Sequence, residues 1–161
     1  INQKWATDFT YLFLKRGDVR YNCTIIDLHD RSVVASLTDR RMTSDLAIRT
    51  LGKALSSQRK RSKGLILHSD QGSLYTSRAF TDFCEEHDLT QSMSQAGCPY
   101  DNAPMERYFN TLKNEEIHLH EYCDEEYLYR AVEHLLISRT TMYDCILITT
   151  IVRHSKRGYS T

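Results

Sequence analysis

The first forty residues of the chain are patterned as strands, and the pattern then shifts to a helical period. From Lys4 to Leu14 aromatic and β-branched residues are dense enough for a strand, with Asp8 near its middle. Val19 to Leu28 and Ser32 to Leu37, rich in Val, Ile, Tyr and Thr, predict two more. Gly17-Asp18 is a turn signal and His29-Asp30-Arg31 a short connection, so the three strands should form an antiparallel meander. Thr43 or Ser44 can cap a helix running to about Ser57, with Leu46, Ala47, Leu51, Ala54 and Leu55 on or near one face.

Leu65-Ile66-Leu67 is a short apolar strand that ends at His68-Ser69-Asp70, which sets Asp70 at a strand's C-terminal end. Thr76 or Ser77 caps the next helix, to about His87, burying Phe80, Phe83 and Cys84. Thr90 to Met93 reads as a fifth strand, and Ser94 to Tyr100, with Gly97 and Pro99, as a mobile loop. Pro104 suits the first turn of a following helix, with Asp101 or Asn102 as its cap. In that helix Met105, Tyr108, Phe109 and Leu112 follow core spacing. Glu106, Asn110 and Lys113 form a separate stripe, because seven residues at about 100° each return almost to the starting direction. A last helix is predicted from Asp124 to Leu136, built on Tyr127, Leu128, Ala131, Val132 and Leu135. This order predicts an α/β domain, a five-stranded mixed sheet with helices on both faces, whose acids could converge at one edge.

Composition narrows the class. At 161 residues the chain is most simply one domain with a sizeable core. No apolar run approaches the roughly 20 residues that span a bilayer, so no membrane partner is expected. The start, Ile1-Asn2-Gln3-Lys4, lacks both an initiator Met and a signal pattern, which suggests a fragment of a longer chain. Five dispersed cysteines (Cys23, Cys84, Cys98, Cys123, Cys145) without a C-x-x-C pair suit a reduced, cytoplasmic protein. With 21 basic and 21 acidic residues the formal net charge is zero, which argues against a protein that coats nucleic acid generally. The basic run Arg59-Lys60-Arg61-Ser62-Lys63 and the pair Arg40-Arg41 read as solvated loops, or alternatively as a phosphate-contacting edge.

The candidate chemistry lies in the acids. Asp70 sits in His68-Ser69-Asp70-Gln71-Gly72-Ser73, and Glu106 in Asp101-Asn102-Ala103-Pro104-Met105-Glu106; 106 − 70 = 36, so 35 residues separate them. Asp8 lies in Trp5-Ala6-Thr7-Asp8-Phe9-Thr10-Tyr11. Three carboxylates from distant segments, with no paired base, suggest a hard-metal site, since Mg²⁺ prefers oxygen ligands and keeps several waters beside a phosphate. A pair of such ions stabilises both the attacking and the leaving oxygen of a phosphodiester. Asp is disfavoured in strands, so a ligand role for Asp8 explains its place better than an exposed edge position. Asp70 can combine ligation with a turn before Gly72, and Asp101 is better read as a cap. His68 could orient a ligand, touch substrate or simply pack. His118-Leu119-His120-Glu121 with Cys123 imitates a metal cluster, but residues two apart do not share a helix face, and the segment reads as a solvated helix end.

With these motifs the chain, over roughly Gln3 to Tyr122, resembles the catalytic core of insertion-sequence transposases of the retroviral-integrase type, the DDE superfamily with a ribonuclease-H-like fold. The carriers are Trp5-x-Thr7-Asp8-x-Thr10-Tyr11, then His68 to Ser73 with Tyr75-Thr76-Ser77, then Asp101-Asn102-Ala103-x-x-Glu106-x-x-Phe109-x-x-Leu112-Lys113-x-Glu115. The resemblance implies that Asp8, Asp70 and Glu106 are the metal-binding catalytic triad. It implies Mg²⁺, replaceable by Mn²⁺ and present as two ions, and DNA as substrate, both transposon ends and target. It implies a homo-oligomer assembled on DNA in the bacterial cytosol or nucleoid. Water would attack for end cleavage and a DNA 3′-hydroxyl for strand transfer. Lys113, Asn110, Gln71 and Tyr75 are the candidate DNA contacts.

The resemblance divides the chain into a core, 1–137, and an aberrant tail, 138–161. His154 to Thr161 matches the end of the family's usual C-terminal segment, whereas Ser138 to Arg153 does not, with Leu147-Ile148 where Tyr-Asn and Val152 where Arg are expected. Ile146 to Val152 is instead β-prone and apolar, as a local frameshift in a decaying element would leave it. Two readings follow: an active strand-transferring core, or an inactive or truncated remnant that acts as a folding or association module. A ribonuclease-H-like nuclease on another nucleic acid is a third.

Overall fold

The computed structural model describes residues 1–58, 62–95 and 102–134. Its strands are β1 (Lys4–Phe13), β2 (Val19–Asp27), β3 (Val33–Asp39), β4 (Ile66–Ser69) and β5 (Thr90–Met93). Helices α1 (Ser44–Ser57), α2 (Arg78–Glu86) and α3 (Ala103–Glu115) alternate with the later strands, a 3-10 turn covers Ile117–Leu119, and α4 occupies residues 125–134. The sheet order is β3-β2-β1-β4-β5. β1 to β3 form the expected antiparallel meander, while β4 runs parallel to β1 and β5 parallel to β4. The predicted five-stranded mixed sheet is therefore the observed one.

Alternation along β1 divides its side chains between two cores. Trp5 joins Cys23, Ile25, Leu46, Leu51, Tyr75 and Phe80 in a layer beneath α1 and α2. Ala6 and Leu12 join Ile26, Met105, Phe109, Leu112, Leu128 and Val132 beneath α3 and α4. Helices thus cover both faces. Each Leu or Phe fully buried in these layers contributes on the order of 1.5–3 kcal/mol.

Local signals set the helix ends. The Thr43 side chain accepts the Leu46 N–H and Ser77 accepts that of Phe80, as expected for such caps. Asp124 accepts the Tyr127 N–H at 2.8 Å at the start of α4. Gly17, at φ +87°, turns the chain between β1 and β2; a side chain there would be strained. The predicted helix ending near Leu136, the loop from residue 96 to 100, Cys98, Cys145, Asp101, Arg59-Lys60-Arg61 and the whole tail 138–161, with the domain boundary at 137, lie outside the described residues.

Three features escaped the sequence reading. Between the apolar ends of the α3 face lies a buried polar ladder: Asn22 donates to Ser36 Oγ at 2.8 Å and Thr38 Oγ1 at 3.0 Å, and Thr24 donates to Asn22 Oδ1 at 2.7 Å. The buried Asp27 carboxylate accepts the Asn2 N–H at 2.5 Å and the His29 N–H at 2.8 Å, fixing the chain's entry to β1. Lys53 of α1 reaches over the edge strand β3 and donates to the Ser36 carbonyl at 3.3 Å.

α4 is tied to the sheet by charge. Glu125 pairs with Arg40 and, at 2.9 Å, with Arg20 Nε. The Arg40 hydrogen bond, supported by Arg20, draws the Glu125 carboxyl from 4.5 down to about 2. A depressed folded-state value stabilises the fold above the unfolded value and loses that contribution as pH falls through the folded one. The stability difference between the parent and Glu125→Gln should therefore be largest above about pH 4.5 and vanish toward pH 2. Melting temperatures of both proteins across that window measure it, and parallel curves would contradict it.

Candidate active site

The candidate site begins where β1 pairs with β4. Ala6 pairs with His68; Asp8 lies two residues further along β1, and Asp70 just beyond the C-terminal end of β4. The face of β1 that carries Ala6 is the one covered by α3, and Glu106 stands in the first turn of α3. Three segments thus bring the three predicted acids to one region.

Of the three, Asp8 is the most withdrawn from water. Burial raises the Asp8 carboxyl above its ordinary 3.8, and the negative charges of Asp70 and Glu106 raise it further. Two hydrogen bonds oppose that rise: the Phe9 N–H on Oδ1 and the Asn102 Nδ2 on Oδ2, each at 2.7 Å. Asp70 and Glu106 are exposed. Asp70 Oδ1 accepts the Gly72 N–H at 2.9 Å, the turn expected there. A Cβ on residue 72 would lie only 2.8 Å from that same oxygen, so glycine leaves the carboxylate its place.

Among the described residues no three His, Cys, Asp or Glu side chains already stand in a ligating array. The donor set nevertheless fits a hard divalent cation. It is all oxygen, comes from three elements, and consists of anions whose charges oppose one another until a cation is shared among them. The His118–Cys123 segment forms no such set; Glu121 pairs with Lys15 at 2.5 Å.

The other expected site residues separate. Gln71 and Asn110 are exposed and Lys113 is half-buried on α3, on the stripe that also carries Glu106. Tyr75 does not fit the expected DNA path: it is only 2% exposed. Its ring packs on Phe9 and Phe80, and its hydroxyl meets Thr7 Oγ1 at 3.3 Å. The aromatic ring fills the first core, and burial pushes its hydroxyl well above the usual range. His68 packs through both ring nitrogens, which lie 3.1 Å from the hydroxyls of Ser92 and Ser94.

The Asn102 side chain is placed differently from the cap that the sequence suggested. It occupies the N-cap position of α3, yet its side chain makes no capping bond. The carboxamide instead crosses to Asp8, 94 residues away in sequence. The sequence signal was limited to an asparagine one turn before Glu106.

A mixed sheet in this order, with acids on its central strand, at the end of the neighbouring strand and on a covering helix, defines the ribonuclease-H-like class of α/β domain. Residues 1–99 match the integrase core domain model, and the chain belongs to that family. It is 42% identical over 125 residues to the transposase InsF for insertion sequence IS3A of Escherichia coli (strain K12), covering 78% of this chain and 43% of the relative. It is 41% identical over 116 residues to an uncharacterized 31 kDa protein of insertion element IS600 from Shigella sonnei, covering 72% and 42%. The chain thus spans less than half the length of the curated relatives it matches. Among solved structures, the catalytic core domain of BIV integrase aligns with TM-score 0.67 at 17% identity, covering 86% of this chain and 83% of that one. The HTLV-2 integrase catalytic core domain in complex with magnesium aligns with TM-score 0.58 at 22% identity, covering 70% and 68%. Both bear out the ribonuclease-H-like fold.

Tyr75→Phe should lower stability by about 0.5–1.5 kcal/mol through loss of its hydroxyl's bond and leave DNA affinity unchanged. Denaturant melts and fluorescence anisotropy with duplex DNA measure the two; weakened DNA binding by the folded variant would return Tyr75 to the surface chemistry.

Proposed function

We propose that this chain is the catalytic core of a transposase that cleaves DNA phosphodiesters and transfers the resulting 3′ ends to a target strand. The observation that carries the reading is the electrostatic meeting of Asp8 with Asp70 and Glu106, in a family member that is 42% identical to a transposase. Divalent cations held there would polarise the scissile phosphate and lower the pKa of the attacking oxygen. The magnesium complex of the HTLV-2 core supports Mg²⁺ as the ion, and two ions would serve the attacking and the leaving oxygen.

Each acid has its own preparation. Asp8 is fixed by donors on both oxygens, each of which keeps a free lone pair. Asp70 has one oxygen held by Gly72 and offers the other. Glu106 is exposed and free to turn inward from the first turn of α3, where the helix dipole favours its charge. No covalent protein–DNA bond is required, since the attacking group is water or a DNA hydroxyl.

Lys113 and Asn110, on the stripe of α3 that carries Glu106, and Gln71, next to Asp70 in the chain, are the proposed DNA contacts, Lys113 through phosphate and the other two through hydrogen bonds. Assembly as a homo-oligomer on transposon ends is part of the proposal. The dimeric and trimeric forms of the HTLV-2 core and the intasome of simian T-cell lymphotropic virus support it. Bacterial relatives support a cytoplasmic or nucleoid setting. The reading as an inactive remnant rests on residues 138–161, which lie outside the described residues.

Calorimetric titration with Mn²⁺ tests the site. The parent should bind, and both Asp8→Asn and Asp70→Asn should lose at least tenfold in affinity, the scale on which even outer partners of a metal matter. Equal binding by all three folded proteins would refute a shared site. Gly72→Ala should also weaken Mn²⁺ binding by about tenfold while the melting temperature hardly moves, because the added methyl meets only the Asp70 carboxylate. Joining of labelled transposon-end DNA to a plasmid, rather than cutting of an RNA–DNA hybrid, distinguishes a transposase from a ribonuclease-H-like nuclease.

A further inference from the structure

Asn102 stands at the N-cap of a 13-residue helix, where an asparagine side chain would ordinarily accept a backbone N–H. It accepts none. Its backbone angles, φ −107° and ψ 6°, differ from the extended conformation that the cap residues of α1 and α2 adopt. Its Nδ2 donates to Asp8 Oδ2 at 2.7 Å, while its Oδ1 is buried with no partner among the described residues. The amide is thus oriented by Asp8 at the expense of its own acceptor. The flipped amide would set two oxygens against each other, so the donor must face the carboxylate.

Two consequences follow. Asp8 Oδ1 is held by the Phe9 N–H and Oδ2 by Asn102, so the carboxylate is fixed from both sides. Asn102 also precedes Glu106 by four residues, one helical turn. The hydrogen bond that fixes Asp8 therefore also moors the turn of α3 that carries Glu106. We propose that Asn102 is a positioning residue for the metal site, aligning the Asp8 carboxylate and holding the Glu106 turn against β1. The inference rests on Asp8 being a metal ligand, as proposed above. Ligating carboxylates are commonly oriented by such outer partners, and loss of one lowers metal affinity by about 10–100-fold.

Asn102→Leu keeps the side chain's branching but removes both polar atoms, so it separates alignment from packing. No capping bond is lost, and a buried acceptor without a partner is removed. Mn²⁺ titrations of the full chain, the Asn102→Leu variant and the Asp8→Asn variant form one experiment. The expected result is a folded Asn102→Leu protein whose Mn²⁺ dissociation constant is raised about tenfold or more, with Asp8→Asn weaker still. If Asp8→Asn loses Mn²⁺ and folded Asn102→Leu binds like the parent, the positioning role is overturned and the metal site stands. If Asp8→Asn itself binds like the parent, the metal reading fails and this inference with it. Should Asn102→Leu not fold, the Asn102 side-chain amide signal in the NMR spectrum of the parent decides. A hydrogen bond to Asp8 predicts that it moves in Asp8→Asn and shifts on Mg²⁺ addition; a signal unmoved by both overturns the proposal.

Discussion

Everything at the site depends on the register of β1. It is the only strand in the described sheet with an antiparallel neighbour on one side and a parallel one on the other. Its alternation sends Trp5 into one core and Ala6 and Leu12 into the other. Asp8 shares the even face and so emerges beneath α3. A slip of one residue would exchange the faces, driving the carboxylate under α1 and the indole toward the site. Two apolar cores therefore guard the placement of one acid. The Trp5 Nε1 bond to Asn2 Oδ1 at 3.1 Å and the grip of Asp27 on the Asn2 N–H anchor the strand's start to the same register.

The acids illustrate how a fold keeps like charges near one another. Asp8 alone is substantially withdrawn from water, and it receives two donors in return. Asp70 and Glu106 remain exposed, where solvent screens their repulsion. The region is thus stable without close convergence, while its net charge makes a divalent cation welcome. Rigidity is graded in the same order: a fixed strand acid, a turn acid held on one oxygen, and a helix acid with a free side chain.

Much of this was legible because the responsible signals are local. Strand and helix periods, the caps Thr43 and Ser77, and Pro104 in the first turn of α3 act within a few residues and were read correctly. The three acids were singled out by the extended motifs around them, and the structure sets Asp8 within β1, Asp70 just past β4 and Glu106 in the first turn of α3. Tyr75 was misread because a tyrosine three residues beyond Gly72 looks like surface, and its neighbours in space, Thr7, Phe9 and Phe80, are not adjacent to it in the chain. Asn102 was misread for the opposite reason: a good local role, capping, was available, and a charged partner 94 residues away displaced it. The ladder of Asn22, Thr24, Ser36 and Thr38 looked like ordinary strand alternation until α4 was seen to cover that face.

The reach of Lys53 over β3 has an implication for how copies of this core can meet. An edge strand offers unpaired carbonyl and amide groups to any other strand of suitable length. Here the ammonium group occupies the Ser36 carbonyl and sets a positive charge along the rim of the sheet. A second chain approaching there would have to displace that contact and desolvate the charge before its backbone could pair. Growth of the sheet across the β3 rim is thereby discouraged.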